Sequence, residues 1–246
     1  MRTTRVYCPQ TLSSGQQIAA PSDSAHHLAN VLRLKVGACL QLFNRQDGEF
    51  ACTIASVKKG DVVLDIEDRL RSYEPPRLAI TLCLGVSRGD RMDFAIQKST
   101  ELGVQRITPF YSEHGDVRLK PAERLQKKMS HWQRVAISAA EQSGRLDVPE
   151  IAEPLDLDAC LQATADSPVL LFDPSGTATL QEAKIGAAVT VVVGPEGGFA
   201  AAELASARQR DCRLVALGPR ILRTETAPLA ALSILQYCFG DLGSGL

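Results

Sequence analysis

A β-branched run, Val189 to Val193, ends at Gly194-Pro195-Glu196-Gly197-Gly198-Phe199 and gives way to an Ala-rich segment from Ala200. A short run of this kind is the pattern of a strand buried on both faces. The glycines remove the Cβ where the chain must turn sharply and where a ligand can approach the backbone. The alanines then restore helix propensity. Strand, glycine loop and helix start together form a ligand cradle, because backbone N–H groups there lack intrahelical partners. A second loop of the same type follows in Leu217-Gly218-Pro219-Arg220-Ile221-Leu222-Arg223-Thr224-Glu225-Thr226-Ala227. One such loop alone can also be a plain βα turn. Two from neighbouring strands point to a shared ligand site.

The 246 residues fit one large domain or two smaller ones. With 45% apolar and 22% charged residues the core is sizeable, so no metal or disulfide staple is required. A net charge of −1 excludes a strongly basic nucleic-acid coat but permits a local basic face. The seven cysteines are scattered, odd in number and lack CxxC spacing, which suits reduced thiols better than a disulfide framework or a zinc site. Met1 to Gln10 lacks the apolar core of a signal peptide, and no apolar run is long enough to span a bilayer. The expectation is a soluble, cytoplasmic protein with no membrane association and no metal.

Residues 1–74 are expected to form a small β-barrel domain. Ala38–Asn44, Glu49–Val57 and Val62–Ile66 read as strands joined by hairpin turns. Before them, Ser24 to Leu34 reads as a short helix with Leu28, Val31 and Leu32 on one face. Its adjacent His26 and His27 would point apart, which argues against a metal site. Arg33 and Lys35 either touch phosphate or solvate the helix end. Tyr73-Glu74-Pro75-Pro76 marks a linker, and a second domain, 75–246, follows.

That domain reads as α/β. Leu78–Val86, the helix Arg91–Leu102 capped by Gly103, and Val104–Phe110 make a βαβ unit of a parallel sheet. In 118–140, Lys120, Arg124, Lys127, His131 and Arg134 recur three and four apart on one helix face, and Leu125, Met129, Trp132, Ala136 and Ala139 on another. The basic stripe is either a solvated face or a surface that tracks RNA phosphates. Gly144 caps this helix and leaves Arg145 in a loop, free to bind an anion or a partner chain. Strands at Pro168–Asp173, Thr190–Val193 and Leu214–Leu217, with helices at Ala201–Arg210 and about Ala227–Phe239, complete the chain. In an open α/β sheet ligands bind at the carboxyl ends of strands, where these last three loops would meet.

The four histidines lie at or before His131, away from the glycine loops in sequence, and no Ser–His–Asp, Cys–His or HExxH pattern is visible. The glycine loop is neither a P-loop nor GxGxxG. What is left is group transfer from an activated donor, driven by positioning.

The two C-terminal motifs, with Glu101-Leu102-Gly103-Val104, Glu141-Gln142-Ser143-Gly144-Arg145 and His27-Leu28 through Val31-Leu32-Arg33, resemble the RsmE family of SPOUT methyltransferases, end to end and in order. The resemblance implies an α/β SPOUT domain with a trefoil knot and a mostly parallel sheet, behind a PUA-like β-barrel. It implies a homodimer that uses S-adenosylmethionine to methylate N3 of one uridine in the 16S rRNA of the small ribosomal subunit. Carried over, Leu171, Phe172, Gly194, Glu196, Gly198, Leu217, Leu222 and Thr226 would hold the cofactor. Arg223 is the first candidate to stabilise the uracil anion and Arg145 of the partner subunit the second. Glu225 accepts the proton or orients Arg223, the alternative for both being a local ion pair. Glu196 alternatively caps the following helix, and Arg220 is as readily structural as functional. Arg33, Lys120, Arg124, Lys127 and Arg134 would face RNA. Competing readings are a non-catalytic RNA-binding protein of this fold, a nucleotide-binding α/β enzyme, and a methyltransferase with another RNA target.

Overall fold

The structure, a computed structural model, describes residues 3–58, 61–164, 166–180 and 183–243. It divides into two compact units, Met1–Pro75 with Ala140–Val148, and Pro76–Ala139 with Pro149–Leu246.

The first unit contains β1 (Arg5–Tyr7), β2 (Gln17–Ala19), α1 (Ser22–His26), β3 (Cys39–Asn44), β4 (Gly48–Lys58) and β5 (Asp61–Arg71). They form a sheet of order β1-β3-β4-β5-β2, antiparallel except for β1 on β3. Register shifts between β4 and β5 bend the ladder. Leu40, Leu42, Phe50, Cys52, Ile54, Val62, Leu64 and Ile66 supply the core. β5 runs on to Arg71, past the expected end at Ile66. Its charged extension pairs with β4 through Phe50↔Arg69 and Glu49↔Arg71, partners that its own polar sequence does not reveal.

The expected helix over 24–34 is not continuous. α1 passes into a π-helical turn, His27–Val31, and Arg33 adopts a left-handed φ of 53°. The wider turn takes successive residues off a common face. Leu28 enters the core, while Val31 and Leu32 face solvent.

Residues 140–148 join this unit through long-range bonds. Arg5 donates to the carbonyls of Ala140 (3.0 Å), Glu141 (3.0 Å) and Arg145 (2.6 Å). The Tyr7 N–H donates to the Glu141 carboxylate at 3.0 Å. Arg5 is itself held by Glu49 at 2.6 Å, and Glu49 also accepts from Arg71 at 2.7 Å. Burial opposes the Glu49 charge, but hydrogen bonds from Arg71 and Arg5 hold its carboxyl below the usual carboxylate range. A carboxyl whose folded pKa is depressed adds stability above its unfolded value, about 4.5, and loses it as pH falls through the folded pKa. Glu49→Gln should therefore cost about 2–3 kcal/mol at pH 7, because it strips the buried charge from two arginines. In urea titrations the gap from the parent should close below pH 4.5. Equal stability at pH 7 would remove Glu49 from this role.

The second unit contains β6 (Ala79–Gly85), α2 (Asp90–Glu101), β7 (Arg106–Tyr111), the start of α3 (Ala122–Ser143), β8 (Glu150–Ile151), β9 (Leu155–Asp156), α4 (Leu157–Ala163), β10 (Val169–Phe172), β11 (Ala188–Val193), α5 (Ala201–Gln209), β12 (Arg213–Val215) and α6 (Thr226–Phe239). Its sheet runs β12-β10-β11-β6-β7-β8, with β9 also on β7, and every pairing is parallel. α2 buries Met92, Ala95, Ile96 and Ser99, the face that its periodicity marks.

β12 has an unusual setting. It pairs with β10 on one side, and on the other Ala178, in the segment that leaves β10, bridges to Val215. The Asp173 N–H donates to Val215 O (3.1 Å) and the Ala178 N–H to Leu214 O (3.0 Å). Gly176 crosses so closely that an added Cβ would lie 2.5 Å from the Val215 carbonyl carbon. The chain over 213–216 thus passes between β10 and the loop that β10 feeds.

Candidate active site

A cavity of about 450 Å³ opens at the carboxyl ends of β10, β11 and β12, within the size range of small-molecule sites. Phe172, Asp173 and Pro174 line it from the first loop, Gly194 to Glu196 with Gly198 and Phe199 from the second, and Leu217, Gly218 and residues 220–225 from the third.

Close packing shapes the glycine loop. A Cβ on Gly85 would lie 2.4 Å from the Pro195 nitrogen, and one on Gly197 would lie 2.4 Å from the His114 carbonyl oxygen. Gly198 and Gly218 have φ of 68° and 74°, a region that side chains rarely adopt. Thr224, missed in the sequence, ties the third loop to the second by donating to Gly194 O at 2.7 Å. Its surroundings, Arg223-Thr224-Glu225-Thr226, mark a polar stretch before an apolar helix but do not single it out.

Glu196 does not cap α5. That role belongs to Glu203, which accepts from the Ala200 N–H (2.8 Å), Ser112 Oγ (2.9 Å) and the Glu113 N–H (2.9 Å). Glu196 instead accepts from Arg91 on the first turn of α2 at 2.8 Å. Partial burial works against its charge, yet its own N–H and Arg91 keep the carboxyl below its ordinary pKa. Arg91, also missed, lines the cavity.

Of the expected cofactor residues, Phe172, Gly194, Glu196, Gly198, Leu217 and Leu222 line this cavity. Leu171 and Thr226 do not. Leu171 alternates to the other face of β10 and packs in the core with Val192 and Cys83. Thr226 is the exposed first residue of α6. Arg223 and Glu225 both line the cavity. Their closest approach is 4.0 Å, with side chains 78% and 18% exposed, and Glu225 Oε2 is buried with no hydrogen-bond partner among the described residues. Arg220 also lines the cavity.

Arg145 is not the free cation that its loop position suggests. It lies in the first unit, 11% exposed, bonded to Asp147 at 3.1 and 2.9 Å. Lys120 stands in a loop, because α3 begins only after Pro121. Arg124, Lys127 and Arg134 are exposed on α3, while His131 of the same stripe pairs with Asp93 at 2.6 Å. Arg33 is exposed in the first unit. Among the described residues no group of three or more His, Cys, Asp or Glu could hold a metal, and no helix is long and apolar enough to cross a membrane.

An RNA methyltransferase domain family matches residues 74–236 and an RNA methyltransferase PUA domain family residues 21–67. The ribosomal RNA small subunit methyltransferase E of Buchnera aphidicola from Schizaphis graminum is 36% identical over 98% of both chains. This chain belongs to the ribosomal RNA small subunit methyltransferase E family. The structure of the methyltransferase E of Neisseria gonorrhoeae, bound to S-adenosyl methionine, superposes with a TM-score of 0.90 at 34% identity, covering 98% of this chain and 100% of that one. A Legionella pneumophila structure with bound cofactor SAM gives 0.94 at 37% identity, with the same coverage. As a methyltransferase E, the chain has a SPOUT, or α/β-knot, domain built on the parallel sheet and a PUA domain at its N-terminus.

Proposed function

We propose that this chain is a cytoplasmic, S-adenosylmethionine-dependent enzyme that methylates N3 of one uridine in the 16S rRNA of the small ribosomal subunit, acting as a homodimer. The carrying observation is the cavity where three strand-end loops converge, with a cation and an unpartnered carboxylate oxygen on its wall. The domain reading that goes with it is an RNA-binding unit over 1–74 and a knotted methyltransferase unit over 75–246.

The cavity suits the cofactor. Its volume admits a ligand of that size, its glycines leave the backbone bare, and apolar Phe172, Leu217 and Leu222 offer surfaces for a purine ring. S-adenosylmethionine, when bound, supplies an activated methyl group. Phe172, Gly194, Glu196, Gly198, Leu217 and Leu222 would hold it, with Leu171 and Thr226 behind and beside them.

Uracil N3 carries a proton and is a weak nucleophile. The work left to the protein is to remove that proton and hold the charge that develops. Arg223, exposed at the cavity, supports the second task. Glu225 supports the first, since its Oε2 is buried with no bond made. Arg145 of the partner subunit would reach a site with its Nε and one terminal nitrogen already held by Asp147. Exposed Ile234 and Tyr237, three apart on α6, offer apolar surface suited to a second copy, and Ile221 in the third loop is exposed as well. RNA would meet Arg33 in the first unit and Lys120, Arg124, Lys127 and Arg134 at α3.

The test is methyl transfer from labelled cofactor to small subunits from cells lacking the modification, with the product nucleoside identified by mass and retention. The expected product is 3-methyluridine at one rRNA position. Transfer to another base, or none to either free rRNA or subunits, would overturn the assigned target.

A further inference from the structure

We propose that a second cavity, at the carboxyl ends of β6 and β7, seats a phosphodiester of the RNA strand that presents the target nucleotide. The inference rests on the reading of the chain as an RNA methyltransferase. The cavity, about 330 Å³, lies wholly within the second unit, between the loop after β6, residues 116–119 and the first turns of α3.

Its charge is lopsided. Arg88, Arg118, Arg124 and Lys128 line it against the single carboxylate of Asp116. Arg88 neutralises Asp116 at 2.9 Å. Arg118 is oriented by the Tyr111 ring, 4.8 Å from its guanidinium carbon, and by a 3.3 Å bond to Ser112 O. Arg124 and Lys128, one turn apart on α3, have no ion-pair partner among the described residues. Three uncompensated cations thus converge on a concave space, where like charges repel unless an anion joins them. Arg124 and Lys128 would be neighbours on any helix face; Arg118 joins them from the loop before α3. Lys127, placed in the stripe by its spacing, lies outside this lining and Lys128 lies within it.

A second observation is independent of charge. Trp132, 1% exposed, lines the same cavity, and its Nε1 is buried with no hydrogen-bond partner among the described residues. A buried indole N–H without an acceptor is costly, so the Trp132 ring marks a polar need in the wall of this cavity. The cavity also borders the active site. Arg91 lines the cofactor cavity while its neighbour Met92 lines this one, and the Arg88 N–H lies 3.5 Å from Glu196 Oε1. A strand whose target base enters the first cavity carries its adjoining phosphates past the second.

Trp132 is the sole tryptophan of the chain and lines this cavity, so its emission reports on the cavity alone. The full-length protein would be titrated with a short single-stranded RNA carrying uridine, and separately with inorganic phosphate, across a salt series. RNA should change Trp132 emission. The double variant Arg124→Ala/Lys128→Ala should weaken RNA binding about tenfold and lower the slope of log K against log salt by about one. KM for RNA should rise about tenfold, with kcat and S-adenosylhomocysteine affinity within about twofold. Arg124→Lys/Lys128→Arg should restore binding. An unchanged salt slope and KM, or Trp132 emission indifferent to RNA, would overturn the seat. A Trp132 response that inorganic phosphate saturates and RNA cannot compete with would make it a free-anion site and overturn the RNA assignment. RNA binding with all these signatures but no methyl transfer would uphold the seat and sink the catalytic reading instead.

Discussion

Arg223→Ala should lower kcat for methyl transfer about 10²–10³-fold while affinity for S-adenosylhomocysteine stays within about twofold. The size of the loss follows from what Arg223 is free to do. Its guanidinium stands 4.0 Å from Glu225, beyond a tight hydrogen-bonded pair, and is largely exposed at the cavity. It is thus available to a developing anion, and it contacts that charge only as the reaction proceeds. Arg223→Lys should recover part of the loss, since the charge survives and the planar fork does not. Single-turnover transfer and calorimetric titration of S-adenosylhomocysteine separate the two quantities. An Ala variant that keeps more than about a tenth of kcat would return Arg223 and Glu225 to a local ion pair at the start of α6.

Gly85→Ala should cost about 2–3 kcal/mol, lower Tm by about 5–10 °C and reduce transfer about 10²-fold. Gly85 ends β6 and is remote in sequence from the glycine loop, yet a Cβ there meets Pro195 N at 2.4 Å, Pro195 Cδ at 2.5 Å and Gly194 C at 2.8 Å. Those atoms belong to backbone and a proline ring, which cannot rotate away. The loop must move, and with it the floor of the cofactor cavity. Gly186→Ala is the matched control, because a Cβ there meets nothing within 4 Å. Equal melting temperatures for the two variants would refute the close approach.

The parallel sheet was legible because its strands are buried on both faces and its glycines mark the turns. β6, β10 and β11 lie where apolar runs place them, and Gly103 and Gly144 end α2 and α3 at positive φ. Local periodicity reports burial, so it found the packed faces of α2 and α3. It cannot report pairing between residues far apart. That is why the bonds from Arg5 to the carbonyls of Ala140, Glu141 and Arg145 were not legible; Glu203 on the Ala200 N–H and Asp147 on Arg145 are local polar pairs, three and two residues apart, that apolar periodicity does not register. It also ran the α3 stripe through Pro121 to Lys120, which lies outside the helix. The knot came from the family resemblance alone, since no spacing in the sequence shows that 213–216 pass beside Ala178.

That passage has a consequence for how the enzyme is made. A ribosome releases this chain from its N-terminus, and β10 emerges with an empty berth beside it. The berth is filled only when Leu214 and Val215 arrive, and the cavity wall closes only with Arg223 and Glu225 behind them. A chain that stops short of Leu214 therefore carries the first two loops of the cavity without the third. The methyl donor's cavity waits on the segment from Leu214 to Glu225, which emerges well after the two loops it closes against.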